Sequence, residues 1–192
     1  MKLRSLVAVA VAVALVASLS VLGLAACQSA APTAPAPGSS QVAPAGTVLP
    51  VDSNPIVNAS STLGPTIVKA AAEDIVDPAT NTDITDRLQV TAHHDTASEL
   101  TLFEIYYVMT DVTSSQSEAY YQELTEFTVA PGATSTLTFD GETGQGHFPE
   151  NAFSIYRSSK NQMDFTIELN TPGVQVATAT ATKGSGVGDA AD

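Results

Sequence analysis

The side chains able to do chemistry in this 192-residue chain are few and widely spaced. His93-His94-Asp95 is the most reactive triplet, because neutral imidazoles bind zinc or copper and a carboxylate can orient them. Neighbouring strand residues point to opposite faces, so both rings reach one ion only if a strand ends there. The plainer reading is two polar residues entering a turn. Asp77, Asn81, Asp83 and Asp86 supply oxygen donors of the kind calcium takes. Their spacing lacks the sixth-position glycine and the terminal glutamate of an EF-hand loop, which leaves only an ad hoc clip.

A third candidate is GETGQGHFPENAF, residues 141–153. His147 adds a third imidazole to the metal-ligating set, and Phe148 beside Pro149 forms either a recognition tip or a plug for the end of the core. The tyrosine pairs 106–107 and 120–121 place one ring inward and one outward if their segments are strands. Outward tyrosines are common contact residues, and Tyr107 and Tyr121 stand as the candidates here beside His147 and Phe148. No nucleophile elbow, zinc-protease helix, phosphate loop or dinucleotide fingerprint occurs. The expectation is a non-enzymatic protein that calls for no cofactor.

The chain opens Met-Lys-Leu-Arg and then runs from Ser5 to Ala26 without a charge. That is a positive n-region and an apolar h-region ending in small residues, with no positive stop-transfer cluster behind it. Leu24-Ala25-Ala26-Cys27 resembles the lipobox of bacterial lipoproteins. The resemblance covers about the first 27 residues and implies cleavage between Ala26 and Cys27 and a lipid on the Cys27 thiol. Two acyl chains hold a protein stably on a bilayer, where one is marginal. The expected location is therefore the extracytoplasmic face of the cell membrane. Cys27 is the only cysteine, so with its thiol consumed the mature chain must be stable without disulfides.

From Cys27 to Pro65 the chain is rich in Pro, Ala and Ser, with one charge at Asp52. Such a stretch buries too little apolar surface to offset its ordering entropy, and it reads as a linker holding the domain roughly 35 Å from the bilayer. Asn58-Ala59-Ser60 matches a glycosylation acceptor, which a bacterial cell leaves bare. Loss of Lys2 and Arg4 takes the formal charge from −13 to −15. With so few and scattered cations, nucleic acid is excluded as a partner, while an envelope protein is admitted.

The elements that would carry these residues have period two. Met163 to Leu169 alternates apolar and polar without exception, as does Arg87 to His93, and each reads as a half-buried antiparallel strand. Phe127 with Val129, Leu137 with Phe139, and Phe153 with Ile155 repeat the pattern. Leu100 to Met109 is apolar on both faces and reads as a central strand. Ser115 to Glu118 fits a capping box for a short helix through Leu124, whereas Tyr120 and Tyr121 favour a strand, the reading adopted. Pro131-Gly132, Asp140-Gly141 and Pro172-Gly173 mark turns.

At least seven strands between 86 and 182, with no long helix, define an all-β domain. The run FTVAPGATSTLTFDG is similar to the cysteine-free immunoglobulin-like domains of bacterial surface lipoproteins. The fold expected is an immunoglobulin-like antiparallel sandwich over residues 66–183, with an open barrel as the alternative. An edge strand near Ile67 and a disordered acidic tail over 184–192 complete the expectation.

Overall fold

The computed structural model describes residues 48–77, 79–80, 82–186 and 189–190; the side chains of 76, 77, 82–86, 189 and 190 lie outside that description. Residues 1–47, where the signal segment with Ala26 and Cys27 and the first part of the linker are expected, and Asn81 also fall outside it. In chain order the elements are β1 (Thr66–Asp77), β2 (Thr82–His93), β3 (Phe103–Asp111), β4 (Ser117–Leu124) and β5 (Thr134–Phe139). They continue with β6 (His147–Phe148), the one-turn helix α1 (Ile155–Ser158), β7 (Met163–Asn170), β8 (Ala177–Lys183) and β9 (Asp189–Ala190).

The alternation dictates two sheets with one apolar face each. In β3 the residues Phe103, Ile105, Tyr107, Met109 and Asp111 are buried while those between are half-exposed, and β7 buries Met163, Phe165, Ile167 and Leu169. One sheet has the order β4-β3-β7-β8 and the other β6-β5-β2-β1-β9. The sheets do not close into a barrel. β2 pairs with β5 in one sheet and β3 with β7 in the other, so the chain passes between two packed sheets of an all-β sandwich. Between the sheets lie Leu88, Val90, Leu137 and Phe139 from one side and the inward residues of β3 and β7 from the other, in a single cluster. Tyr107 bridges the layers, its ring 5.6 Å from Phe139 and stacked 5.5 Å from Tyr120. Each such aromatic contact contributes about 0.5–1.5 kcal/mol beyond its buried area.

Several segments differ from expectation. Phe127 and Val129 form no strand; Val129 makes a single bridge to Leu100. Leu102, expected in the core, is exposed with φ of 56°, because this residue turns the chain into β3. The Phe153–Ile155 alternation belongs to a turn and to α1. Ser154 caps that helix by accepting from the Arg157 amide, which leaves Phe153 88% exposed. Tyr156 is driven inward instead, with its hydroxyl against the carbonyl oxygens of Glu73 and Arg87 and its ring edge-on to Phe165 at 5.0 Å. Residues 117–124 are a strand. In the tail, Asp189 and Ala190 pair in parallel with Ile75 and Val76 of β1.

The part of the expected linker from Val51 onward is attached to the domain. The Val51 amide donates to the Ala119 carbonyl at 2.8 Å, and Asn54 Nδ2 to Glu168 at 2.7 Å. Asn58 Nδ2 donates to Asn170 and to the Val174 carbonyl, and the Gln175 amide donates to Thr62. Asparagines do this work because a proline-rich backbone has few donors to pair in a ladder. Among the described residues no helix is long and apolar enough to cross a membrane.

Candidate functional site

The segment between β5 and β6 is short, glycine-rich and closely fitted. Asp140 opens an Asx turn, its Oδ1 accepting the Glu142 amide at 2.9 Å, and Gly141 follows with φ of 73°. The chain then doubles back, with the His147 amide donating to Gly144 and the Thr138 amide donating to Gly146 at 2.7 Å. As a result β6 pairs with β5 in parallel, His147 beside Thr138 and Phe148 beside Phe139. At Gly146 φ is 83°, and a Cβ there would sit 2.8 Å from the Thr136 carbonyl oxygen. Only glycine lets the loop lie this close to β5.

This return sets His147 Nδ1 2.8 Å from Asp140 Oδ2. Glu142 joins them, and the ligating atoms of Asp140, Glu142 and His147 all lie within 4.8 Å of one another. The Asp140 side chain is only 8% exposed and that of His147 34%, whereas Glu142 is exposed. A carboxylate pair with an imidazole is a donor set for a divalent cation. Beside it runs a groove of about 610 Å³ lined by Thr125–Phe127 and Gly144–Pro149, His147 included. Gln122 Nε2 holds its rim by donating to the Pro149 carbonyl at 3.0 Å.

The other candidate residues are placed apart. Phe148 is buried against Phe139 and Phe127, with centroids 5.7 and 6.4 Å away, so it plugs the core and borders the groove from beneath rather than projecting from the surface. Tyr107 is likewise a core residue, 3% exposed; burial, then the neighbouring Tyr120, pushes its phenol well above the ordinary range. Tyr107 and Phe148 each occupy an inward position of their strands, so neither stands out from the surface as a tip. Tyr121 faces the other way. Its hydroxyl donates to Glu104, and that bond, followed by partial burial, moves its pKa to about 12.

His93 and His94 take separate partners. His93 Nε2 lies 2.7 Å from Asp95 Oδ1, and its Nδ1 lies 3.0 Å from Thr134 Oγ1. His94 is fully buried, with Nε2 2.6 Å from the Ser98 carbonyl oxygen. Alternation at the end of β2 keeps the rings from sharing an ion. Asp77 and Asp83 have backbones in the β1–β2 hairpin, opposite Thr82 and Val76 respectively; their side chains, that of Asp86 and all of Asn81 lie outside the described residues. The contributions of Asp140 and Glu142 to the His147 site escaped the sequence reading. Their one local signal is the Asp-Gly turn followed by the glycines that bring His147 back.

Fold and site together define a β-sandwich with a loop-borne cluster of metal-ligating groups beside an open groove. No family model matches the chain, and no curated protein does. Among solved structures, the chain is similar to the alkylpurine DNA glycosylase AlkC of Pseudomonas fluorescens bound to DNA containing an abasic site analogue (TM-score 0.35, 10% identity, 64% of this chain and 31% of that one). It is also similar to the sporulation control protein Spo0M of Bacillus subtilis (0.32, 12%, 64% and 50%). A third is a β-glucosidase of intestinal bacteria involved in saponin metabolism (0.31, 16%, 63% and 16%). In each case the chain spans half or less of the other protein's length. Similarity at this level assigns neither family nor activity.

Proposed function

We propose that this chain is a non-enzymatic, lipid-anchored binding domain displayed on the extracytoplasmic face of a bacterial membrane, where its sandwich engages another envelope protein. The observation that carries the binding role is the groove between Thr125–Phe127 and Gly144–Pro149. Its floor is fixed by the buried Phe148 and its rim by the Gln122 bond to Pro149, so it offers a preorganised surface, which lowers the entropic cost of association. Loops on a rigid sandwich are where such domains commonly bind. The location rests on Leu24 to Cys27. Residues 51–62 are hydrogen-bonded to the domain, so they add nothing to the length of a tether.

The test is site-specific photo-crosslinking on intact cells. A photoreactive residue replaces Gln145 on the groove or Thr180 on the opposite edge strand β8, both exposed. A discrete adduct from position 145 that is absent from position 180 is the expected result. No adduct from either position, or the same adducts from both, would overturn the groove as the contact surface. Cys27→Ser is expected to release the protein from the membrane fraction, and retention of that variant would remove the anchor.

A further inference from the structure

We propose that Asp140, Glu142 and His147 form a binding site for a zinc-class divalent cation. Three facts converge on it. The first is the donor set: two carboxylates and one imidazole whose ligating atoms lie within 4.8 Å of one another. Donors bound at about 2.0–2.2 Å to a common ion stand roughly 3–3.5 Å apart. The 2.8 Å between His147 Nδ1 and Asp140 Oδ2 therefore has to open by only a few tenths of an ångström. Glu142, exposed at the loop surface, has the freedom to swing in as the third ligand.

The second fact is the burial of Asp140. Its side chain is more than nine-tenths buried, with Oδ1 accepting the Glu142 amide and Oδ2 beside His147 Nδ1, and a buried carboxylate is costly unless its charge is compensated. Among the described residues no lysine or arginine pairs with Asp140 or Glu142. Arg87 pairs with Glu73, Arg157 with Glu150 and Lys183 with Asp74. Among the described residues the basic group beside the two carboxylates is the His147 ring, and a divalent ion bound by all three would neutralise both acids. The third fact is the backbone. Gly141, Gly144 and Gly146 all have positive φ, and Gly146 lies where a side chain would strike Thr136, so the return of His147 to Asp140 is built into the loop.

The imidazole selects the metal class. Calcium and magnesium take oxygen donors, whereas zinc accepts nitrogen and carboxylate oxygen together. The ion would take Nδ1 of His147 and leave the ring proton on Nε2, so binding requires that Nδ1 carry no proton. Three protein ligands leave at least one position for water or for a donor from a bound molecule, and His147 also lines the groove. The site stands on its own geometry, whether or not the groove binds a protein.

The experiment is zinc titration of the full-length, metal-stripped chain in detergent, followed by calorimetry and by the visible absorption of cobalt(II) as a substitute. One saturable site is expected, with Tm rising about 5–10 °C when zinc stands at 100 times its Kd. Glu142→Gln and His147→Ala should each weaken binding at least about tenfold, the size that even an outer-shell change costs, and His93→Ala should leave it unchanged. Glu142 is exposed, so its variant reports on binding even if His147→Ala impairs folding. Absence of saturable binding up to about 1 mM zinc would overturn the proposal. So would binding that survives both loop variants but is lost in His93→Ala, or a larger response to calcium than to zinc.

Discussion

Asn58→Ala tests whether the stretch before β1 is part of the domain. The Asn58 side chain donates from Nδ2 to Asn170 Oδ1 and to the Val174 carbonyl at 2.7 Å, and its Oδ1 accepts the Ser60 amide at 2.8 Å. Asn170 is buried and passes the chain of bonds on to Glu104 of β3 through its own amide. Alanine removes all three bonds and leaves Asn170 Oδ1 without its donor. A net value of about 1 kcal/mol per hydrogen bond gives a loss of about 2–3 kcal/mol. At about 3–4 °C per kcal/mol for a domain of this size, Tm should fall by about 6–12 °C. Thermal unfolding of the full chain followed by circular dichroism measures it. A change below about 2 °C would refute the reasoning, and the result would be decisive if deletion of residues 48–65 also left Tm unaltered. In that case the contacts in this segment would add nothing to folding. The same geometry predicts that Asn58 is a poor glycan acceptor, since its amide is already committed to Asn170 and Val174.

Three further outcomes follow from particular residues. Asp111 is held far below the usual carboxylate range by hydrogen bonds, first from Ser159 Oγ, then from the Ser114 amide and the Asn161 side chain. A depressed pKa stabilises the fold above the unfolded value of about 4 and loses that contribution as pH falls further. The Tm gap between wild type and Asp111→Asn should therefore be widest near neutrality and narrow steadily below about pH 4; a gap constant down to about pH 2.5 would contradict this. Tyr121, raised to about 12 chiefly by its bond to Glu104, stabilises the fold below the unfolded phenol value of about 10 and loses that contribution as pH rises towards 12. Alkaline unfolding of Tyr121→Phe should lack this component, and phenolate absorption should show the buried Tyr107 and Tyr120 ionising only after unfolding. Gly146→Ala meets both a φ of 83° and the Thr136 carbonyl at 2.8 Å, and should cost about 1–3 kcal/mol, read as a lower denaturant midpoint.

Several features were legible because they are local. Alternation at Arg87–His93 and Met163–Leu169 reports which side of a pleat each residue faces, and both segments are strands with those faces buried. Pro131-Gly132 forms the expected turn, with Gly132 at φ of 69° and the Ala133 amide bonded to the Ala130 carbonyl at 3.0 Å. Gly141 and Gly173 also take positive φ at the turns where they were read. Tyr120 and Tyr121 weighed correctly for a strand, since aromatic rings fit a half-buried pleated surface. The same reasoning failed at Phe153–Ile155, where a serine cap and the buried hydroxyl of Tyr156 outweigh a three-residue alternation.

By itself the sequence determined the all-β class, the main strands, the turns and the inward–outward split within each tyrosine pair. Pleat and turn energetics act over two to four residues, so they can be read from neighbours along the chain. Tertiary structure alone decided which tyrosine of each pair turns inward, through the pairing of Tyr107 with Tyr120. It also attached residues 48–65 to strands more than a hundred positions away. Finally it assembled Asp140, Glu142 and His147, because a parallel return beside β5 brings together groups that the chain keeps apart. These are contacts between elements, and their partners are chosen by the packing of two sheets rather than by the local preference of any segment.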